Sequence, residues 1–147
     1  MELKRIVDPS IAKEPYEQTR FIMDKLSYKK WVEFIETHKN YYTWYEDTED
    51  GIQLKNNIDK IPENFKEGVL LKLNKQQALA EFNKEKGYYN IIIDYHRDYG
   101  KISTTFQKKI TKKNLFKLLE MANYLDALLL NNGTEIIDKN VINELKK

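Results

Sequence analysis

The sequence predicts an α+β fold in a single domain, with an antiparallel β-sheet packed against helices. Three observations carry it. Between Tyr88 and Asp138 the hydrophobic period switches from two to about 3.6 and back to two. Helical patterning precedes the strands and follows them, without the regular alternation that signals a parallel sheet. The chain of 147 residues, with no cysteine, suits one hydrophobic core that needs no disulfide.

Residues 1–14 read as a flexible or extended arm, because they are charged, weakly patterned and interrupted by Pro9. Pro15 suits the first turn of a helix over 15–26. Ser27 is a plausible N-cap for a second helix over 28–39, in which Trp31, Phe34, Ile35 and His38 recur at helical spacing. Together these form an N-terminal helical hairpin. Tyr41, Tyr42, Thr43, Trp44 and Tyr45 then read as a strand. The Asp50-Gly51 pair reads as its turn, with a short return strand over 52–55. The stretch 65–73 fits either a buried strand or a helix. From Asn74 to Lys84 the residues Gln76, Gln77, Ala78, Leu79, Ala80 and Glu81 favour a helix ended by Gly87.

The next hairpin, about 88–96 and 101–108, tests itself by register. A four-residue loop with Gly100 in the left-handed position pairs His96 with Lys101. One face then carries Tyr95 beside Ile102, Ile93 beside Thr104 and Ile91 beside Phe106. The other carries Asp94 beside Ser103, Ile92 beside Thr105 and Asn90 beside Gln107. The split into apolar and polar faces is that of a half-buried sheet. Thr111 caps an amphipathic helix from Lys112 to about Asp126, with Leu115, Leu118, Leu119, Met121, Ala122, Leu125 and Leu129 on one arc. The stretch 127–137 fits a last helical turn or a short hairpin about Asn132-Gly133, and the hairpin is preferred. Asp138 caps a terminal helix containing Val141, Ile142 and Leu145.

Composition narrows the function classes. Without cysteine, thiol catalysis and cysteine-ligated zinc are excluded. The longest unbroken apolar run is Ala127 to Leu130, against the roughly 20 residues a spanning helix needs, and the N-terminus lacks an apolar stretch suited to a secretory signal. The expectation is a cytoplasmic protein with no membrane partner, cofactor or metal. The formal net charge of +2 does not mark a nucleic-acid binder. With 22 Lys against 3 Arg, 13 Asn, 15 Ile and 10 Tyr, all encoded by AT-rich codons, abundance means little and clustering matters more.

Three clusters stand out. Asp94 and His96 project from one strand face, joined by Asp98 if extended geometry continues. A carboxylate beside imidazole could orient a base, although alternation alone produces such sets and Lys101 offers a cross-strand partner. Lys101, Lys108, Lys109, Lys112, Lys113 and Lys117 form a basic run. Its core, Lys108 to Lys117, is an alternative anion or nucleic-acid site at a helix N-terminus. An ordinary solvated face accounts for it better, since it has no arginine and its one aromatic, Phe106, faces inward. The third cluster sets Glu46, Asp47, Glu49 and Asp50 beside Tyr41, Tyr42, Trp44 and Tyr45. Exposed aromatics among charges make protein-binding hot spots. The competing reading has Tyr42 and Trp44 filling the core while the acids decorate a turn.

The run Leu118-Leu119-Glu120-Met121-Ala122-Asn123-Tyr124-Leu125-Asp126-Ala127-Leu128-Leu129, followed by Asn132-Gly133 and Ile136-Ile137-Asp138, resembles the endings of small bacterial α+β domains. Among these are immunity proteins of toxin systems, which neutralise a cognate effector by binding it. The resemblance covers the last third of the chain and transfers no site residue. It implies a non-enzymatic cytoplasmic inhibitor. The leading expectation is therefore a protein-binding domain using residues 41–50, whose acids would steer association with a cationic toxin. Nucleic-acid binding through the lysines ranks second, and an enzyme using Asp94 and His96 last.

Overall fold

The computed structural model describes residues 1–146. Seven antiparallel strands form one sheet in the order β2-β3-β4-β5-β1-β6-β7. They are β1 (Pro9–Ala12), β2 (Tyr42–Trp44), β3 (Gln77–Asn83), β4 (Tyr88–His96), β5 (Lys101–Phe106), β6 (Leu128–Asn131) and β7 (Glu135–Ile136). The helices are α1 (Tyr28–Glu36), α2 (Glu49–Asn56), α3 (Glu63–Lys72), α4 (Lys112–Tyr124) and α5 (Lys139–Glu144). An α+β fold is thus present.

The β4–β5 hairpin has the predicted register, from His96 opposite Lys101 to Ile91 opposite Phe106. Gln107 extends it by donating its N–H to the Asn90 carbonyl at 2.7 Å. Gly100 occupies the left-handed region at φ +67°, and a side chain there would strike Lys25. The preferred β6–β7 hairpin is also present, closed by the three-residue loop Asn132-Gly133-Thr134, in which Asn132 and Gly133 both take positive φ. Thr111 and Asn114 cap α4 reciprocally, and Asp138 caps α5.

One sheet face carries the core. Tyr42, Trp44, Ala78, Ala80, Ile91, Ile93, Tyr95 and Ile102 meet Trp31, Phe34 and Ile35 of α1 and Leu115, Leu118, Met121 and Ala122 of α4. Trp31 is its aromatic centre, edge-on to Trp44 at 5.7 Å and stacked with Tyr95 at 6.1 Å. Its indole N–H donates to the Lys75 carbonyl, so the ring is buried without an orphaned donor.

Four expectations are corrected. Residues 9–12, expected in an arm, form β1 between β5 and β6, where all four are buried. Pro9 heads this strand, a position that spares the ladder its missing N–H. The predicted helix over 15–26 is absent. This segment is irregular, with bends and one 3-10 turn at Thr19–Phe21, and is tied at distant points: Tyr16 N–H to the Gly133 carbonyl and Leu26 N–H to that of Gly100. There is consequently no N-terminal helical hairpin.

The return strand at 52–55 is instead part of α2, capped by Thr48. Residues 77–83 form β3 and not a helix, because pairing with β2 and β4 on both sides overrides the helical propensity of Gln77, Ala78 and Ala80. The undecided stretch 65–73 lies mostly in α3.

Candidate partner-binding cleft

Chain direction after β2 creates a depression beside the sheet. Trp44 ends the strand, Tyr45–Asp47 make a 3-10 turn, and Thr48 caps α2 by accepting from the Gly51 N–H at 3.0 Å. Gly51 lies so close to this turn that a Cβ would sit 2.0 Å from the Tyr45 carbonyl oxygen. Only glycine lets the first turn of α2 close onto Tyr45. Beyond it, α2 and α3 project with Gly51 as their sole buried residue, while Ile52, Phe65, Leu70 and Leu71 stand exposed.

Between this projection and the sheet lies a cleft of about 490 Å³. One wall is Tyr45, Thr48, Glu49, Asp50 and Lys72; the other includes Leu79, Phe82, Tyr88, Tyr89 and Ile92. Phe82 is 52% exposed and meets Tyr89 edge-on, ring centres 5.0 Å apart. Leu79 and Phe82 line the same cleft, although residues three apart on an unbroken strand face opposite ways. Glu81 resolves the conflict, because its φ of +58° breaks the alternation.

Glu81 directs its carboxylate towards the helices. Oε2 accepts from the Tyr41 hydroxyl at 2.7 Å and from Asn114 Nδ2 at 2.8 Å, while Lys108 Nζ lies 3.1 Å from Oε1. Burial works to raise this carboxyl's pKa, but the three donors outweigh it and hold it below the usual value.

The eight expected partner-binding residues divide. Tyr42 and Trp44 are 2% and 1% exposed, so neither can touch a partner. Their side chains point into the core from an edge strand of alternating pattern. Trp44 spends its N–H on Glu36 Oε1 at 3.0 Å. Tyr41 is bound to Glu81 and covered by Lys117, whose Nζ lies 4.8 Å from the ring centre. Glu46 turns inward: Oε2 accepts the Lys75 N–H at 2.8 Å, Oε1 is buried without a partner, and burial pushes its pKa up against that amide bond. Asp47 is paired with Lys39 at 3.4 Å. The expected acidic patch is largely answered from within the chain, leaving Tyr45, Glu49 and Asp50 at the cleft.

The lysine cluster is similarly divided. Lys108 is held by Glu81, Lys117 by the Tyr41 ring, and Lys112 donates to the Asn143 carbonyl at 3.2 Å. Lys109 and Lys113 are exposed. The Asn114 N–H of the first turn of α4 is used by Thr111 Oγ1 and is not available to an anion.

Asp94 and His96 lie on the face away from the core, each engaged across the ladder. Asp94 accepts from Gln77 Nε2 at 2.9 Å, and His96 Nε2 lies 2.6 Å from Ser103 Oγ. Burial lowers the imidazole pKa, Asp94 and Asp98 oppose the shift, and Lys101 reinforces it. His38 stacks on Phe34 at 4.0 Å at the core edge, as its spacing predicts.

Among the described residues no cluster of three or more His, Cys, Asp or Glu is arranged to hold a metal ion, and no helix is long and apolar enough to cross a membrane. Sequence reasoning missed Phe82, Tyr88 and Tyr89. Reading 77–83 as a strand that turns at Gly87 into Tyr88-Tyr89 would have gathered these aromatics at one hairpin end.

Fold and cleft together define an α+β domain that presents an aromatic, acid-edged groove beside an exposed helical projection. No protein-family model, curated protein or solved structure matches the chain.

Proposed function

We propose that this chain is a non-enzymatic protein-binding domain that engages its partner through the cleft and its aromatic rim. The narrower form of the proposal is an immunity protein that binds and neutralises a cognate bacterial toxin, and it rests on the resemblance of the C-terminal third. The observation that carries the broader reading is the set of exposed apolar side chains at the cleft and on the helices that wall it: Phe82 on the rim, Ile52 on α2, and Phe65 and Leu70 on α3. Exposed apolar side chains among charges are what binding surfaces use, because covering them releases water at little entropic cost from rigid rings. The Asp94–His96 and lysine alternatives draw less support, since most of those side chains already have partners within the chain.

The test is affinity capture from the native host with the wild type, Phe82→Glu and, as a control on the exposed side of α4, Phe116→Glu. A partner retained by the wild type and the control but weakened at least about tenfold by Phe82→Glu supports the reading, as expected for a buried aromatic anchor. A partner held equally by Phe82→Glu, or no retained protein at all, overturns it. Where the retained partner is a toxin, co-expression should protect cells with the wild type and fail with Phe82→Glu.

A further inference from the structure

The ammonium of Lys72 sits 4.3 Å from the centre of the Tyr45 ring, inside the cleft. This is cation–π geometry, and Lys72 forms no ion pair among the described residues. Glu49 and Asp50 line the same wall. Their position in the first turn of α2 satisfies the helix dipole on its own account. The dipole does not explain the cation lodged on Tyr45, or the exposed Phe82 and half-buried Tyr89 that line the same cleft.

Resting on the protein-binding reading, we propose that the cleft receives a basic side chain, arginine or lysine, from an extended segment of the partner, and that Lys72 holds that position in the free protein. Two carboxylates against one resident lysine leave the wall complementary to an incoming cation. Tyr45 supplies a ring face for the cation, while Leu79, Ile92, Phe82 and Tyr89 supply apolar surface for the neighbouring residues of the segment. The resident cation is readily displaced. Lys72 is the last residue of α3, a helix with no buried residue, so its side chain can swing out without disturbing the core. Lys72 thus competes with the partner for Tyr45.

An acetylated Leu-Arg-Leu amide and its citrulline counterpart, which keeps the shape and loses the charge, are titrated into the ¹⁵N-labelled full chain. Amide shifts report both the site and, through the unperturbed remainder, the intact fold. The proposal expects shifts at Tyr45, Asp50, Phe82 and Tyr89, with the arginine peptide binding about fivefold more tightly than the citrulline peptide. Lys72→Ala should tighten the arginine peptide about threefold by vacating the ring, and Tyr45→Leu should reduce the preference for charge to what the Glu49 and Asp50 carboxylates supply. Equal binding of the two peptides at the cleft overturns the cation reading and leaves the cleft as a protein-binding surface. Weaker binding by Lys72→Ala also overturns it, since Lys72 would then be a ligand and not a competitor. If neither peptide shifts the cleft resonances the cation reading falls, and the Phe82→Glu capture judges the broader reading separately.

Discussion

Glu81 is in the left-handed region within a strand paired on both sides, so replacing it by Ala and by Gly separates backbone strain from side-chain bonding. Both substitutions remove the acceptor used by Tyr41, Asn114 and Lys108. Hydrogen bonds to a charged group contribute about 1.5–3 kcal/mol, and this carboxylate is partly exposed, so Ala should cost roughly 2–3 kcal/mol. For a domain of this size that is a fall of roughly 4–12 °C in Tm. Gly loses the same bonds but relieves a left-handed strain of about 1–2 kcal/mol, against roughly 0.5–1 kcal/mol of added unfolded-state entropy. Glu81→Gly should therefore be about 0.5–1 kcal/mol more stable than Glu81→Ala. Urea denaturation at neutral pH, fitted with a common slope, resolves this difference. If Ala equals or exceeds Gly in stability, the strain argument is wrong. The pH dependence provides a second check. The folded pKa of Glu81 lies below its usual 4.5, so its stabilisation is present above that value and lost as pH falls towards the folded value. The gap between wild type and Glu81→Ala should shrink as pH falls below about 5.

Two further predictions concern glycine and histidine. Gly51→Ala should lower stability by at least about 2 kcal/mol, because its Cβ would meet the Tyr45 carbonyl at 2.0 Å and Glu46 Cα at 2.8 Å. Gly68→Ala, within α3 with no atom inside 4 Å of the added Cβ, should raise it by about 0.5–1 kcal/mol. Thermal melts that rank the two variants the other way would contradict the described packing of α2. The His96 imidazole should titrate below its usual 6.5 in an NMR pH series, and a value at or above 6.5 would refute the burial argument. A base with a lowered folded pKa is protonated first in the unfolded chain, so stability is lost as pH drops below about 7. His96→Gln should flatten that part of the profile.

Elements whose contacts are local were legible from the sequence. The β4–β5 hairpin and α4 carry their own period, turn and cap, and every predicted ladder pair from His96–Lys101 to Ile91–Phe106 is present. The misread elements are those determined from a distance. Ala78 and Ala80 look like helix formers because they are small, but they face Ile93 and Ile91 on one neighbouring strand and Trp44 and Tyr42 on the other. Residues 15–26 are drawn away from a helix because Gly133 and Gly100, each far along the chain, accept the Tyr16 and Leu26 N–H groups. Gly51 follows an aspartate and so resembles a turn, yet it serves the close approach of a helix. At the candidate site, composition identified Tyr45, Glu49 and Asp50. It also selected Tyr42 and Trp44, since an aromatic run looks the same whether it faces a partner or a core.

The left-handed residue in β3 bears on function as well as stability. In an unbroken strand Phe82 would stand on the face opposite Leu79, and the cleft would lose its aromatic rim. With Glu81 at positive φ, its carboxylate reaches Asn114 and Tyr41, while Phe82 joins Leu79, Tyr88 and Tyr89 around the cleft. Phe82 is therefore not an apolar residue left over from an incomplete core. It is held half-exposed by a backbone conformation that costs about 1–2 kcal/mol and is offset by three polar contacts. A glycine would adopt that conformation without strain but would give up all three contacts, which leaves glutamate as a residue able to anchor the bend. Strain maintained in this way beside the Phe82–Tyr89 pair supports the proposal that a partner is met at this end of the sheet, away from the Asp94–His96 face and the lysine run.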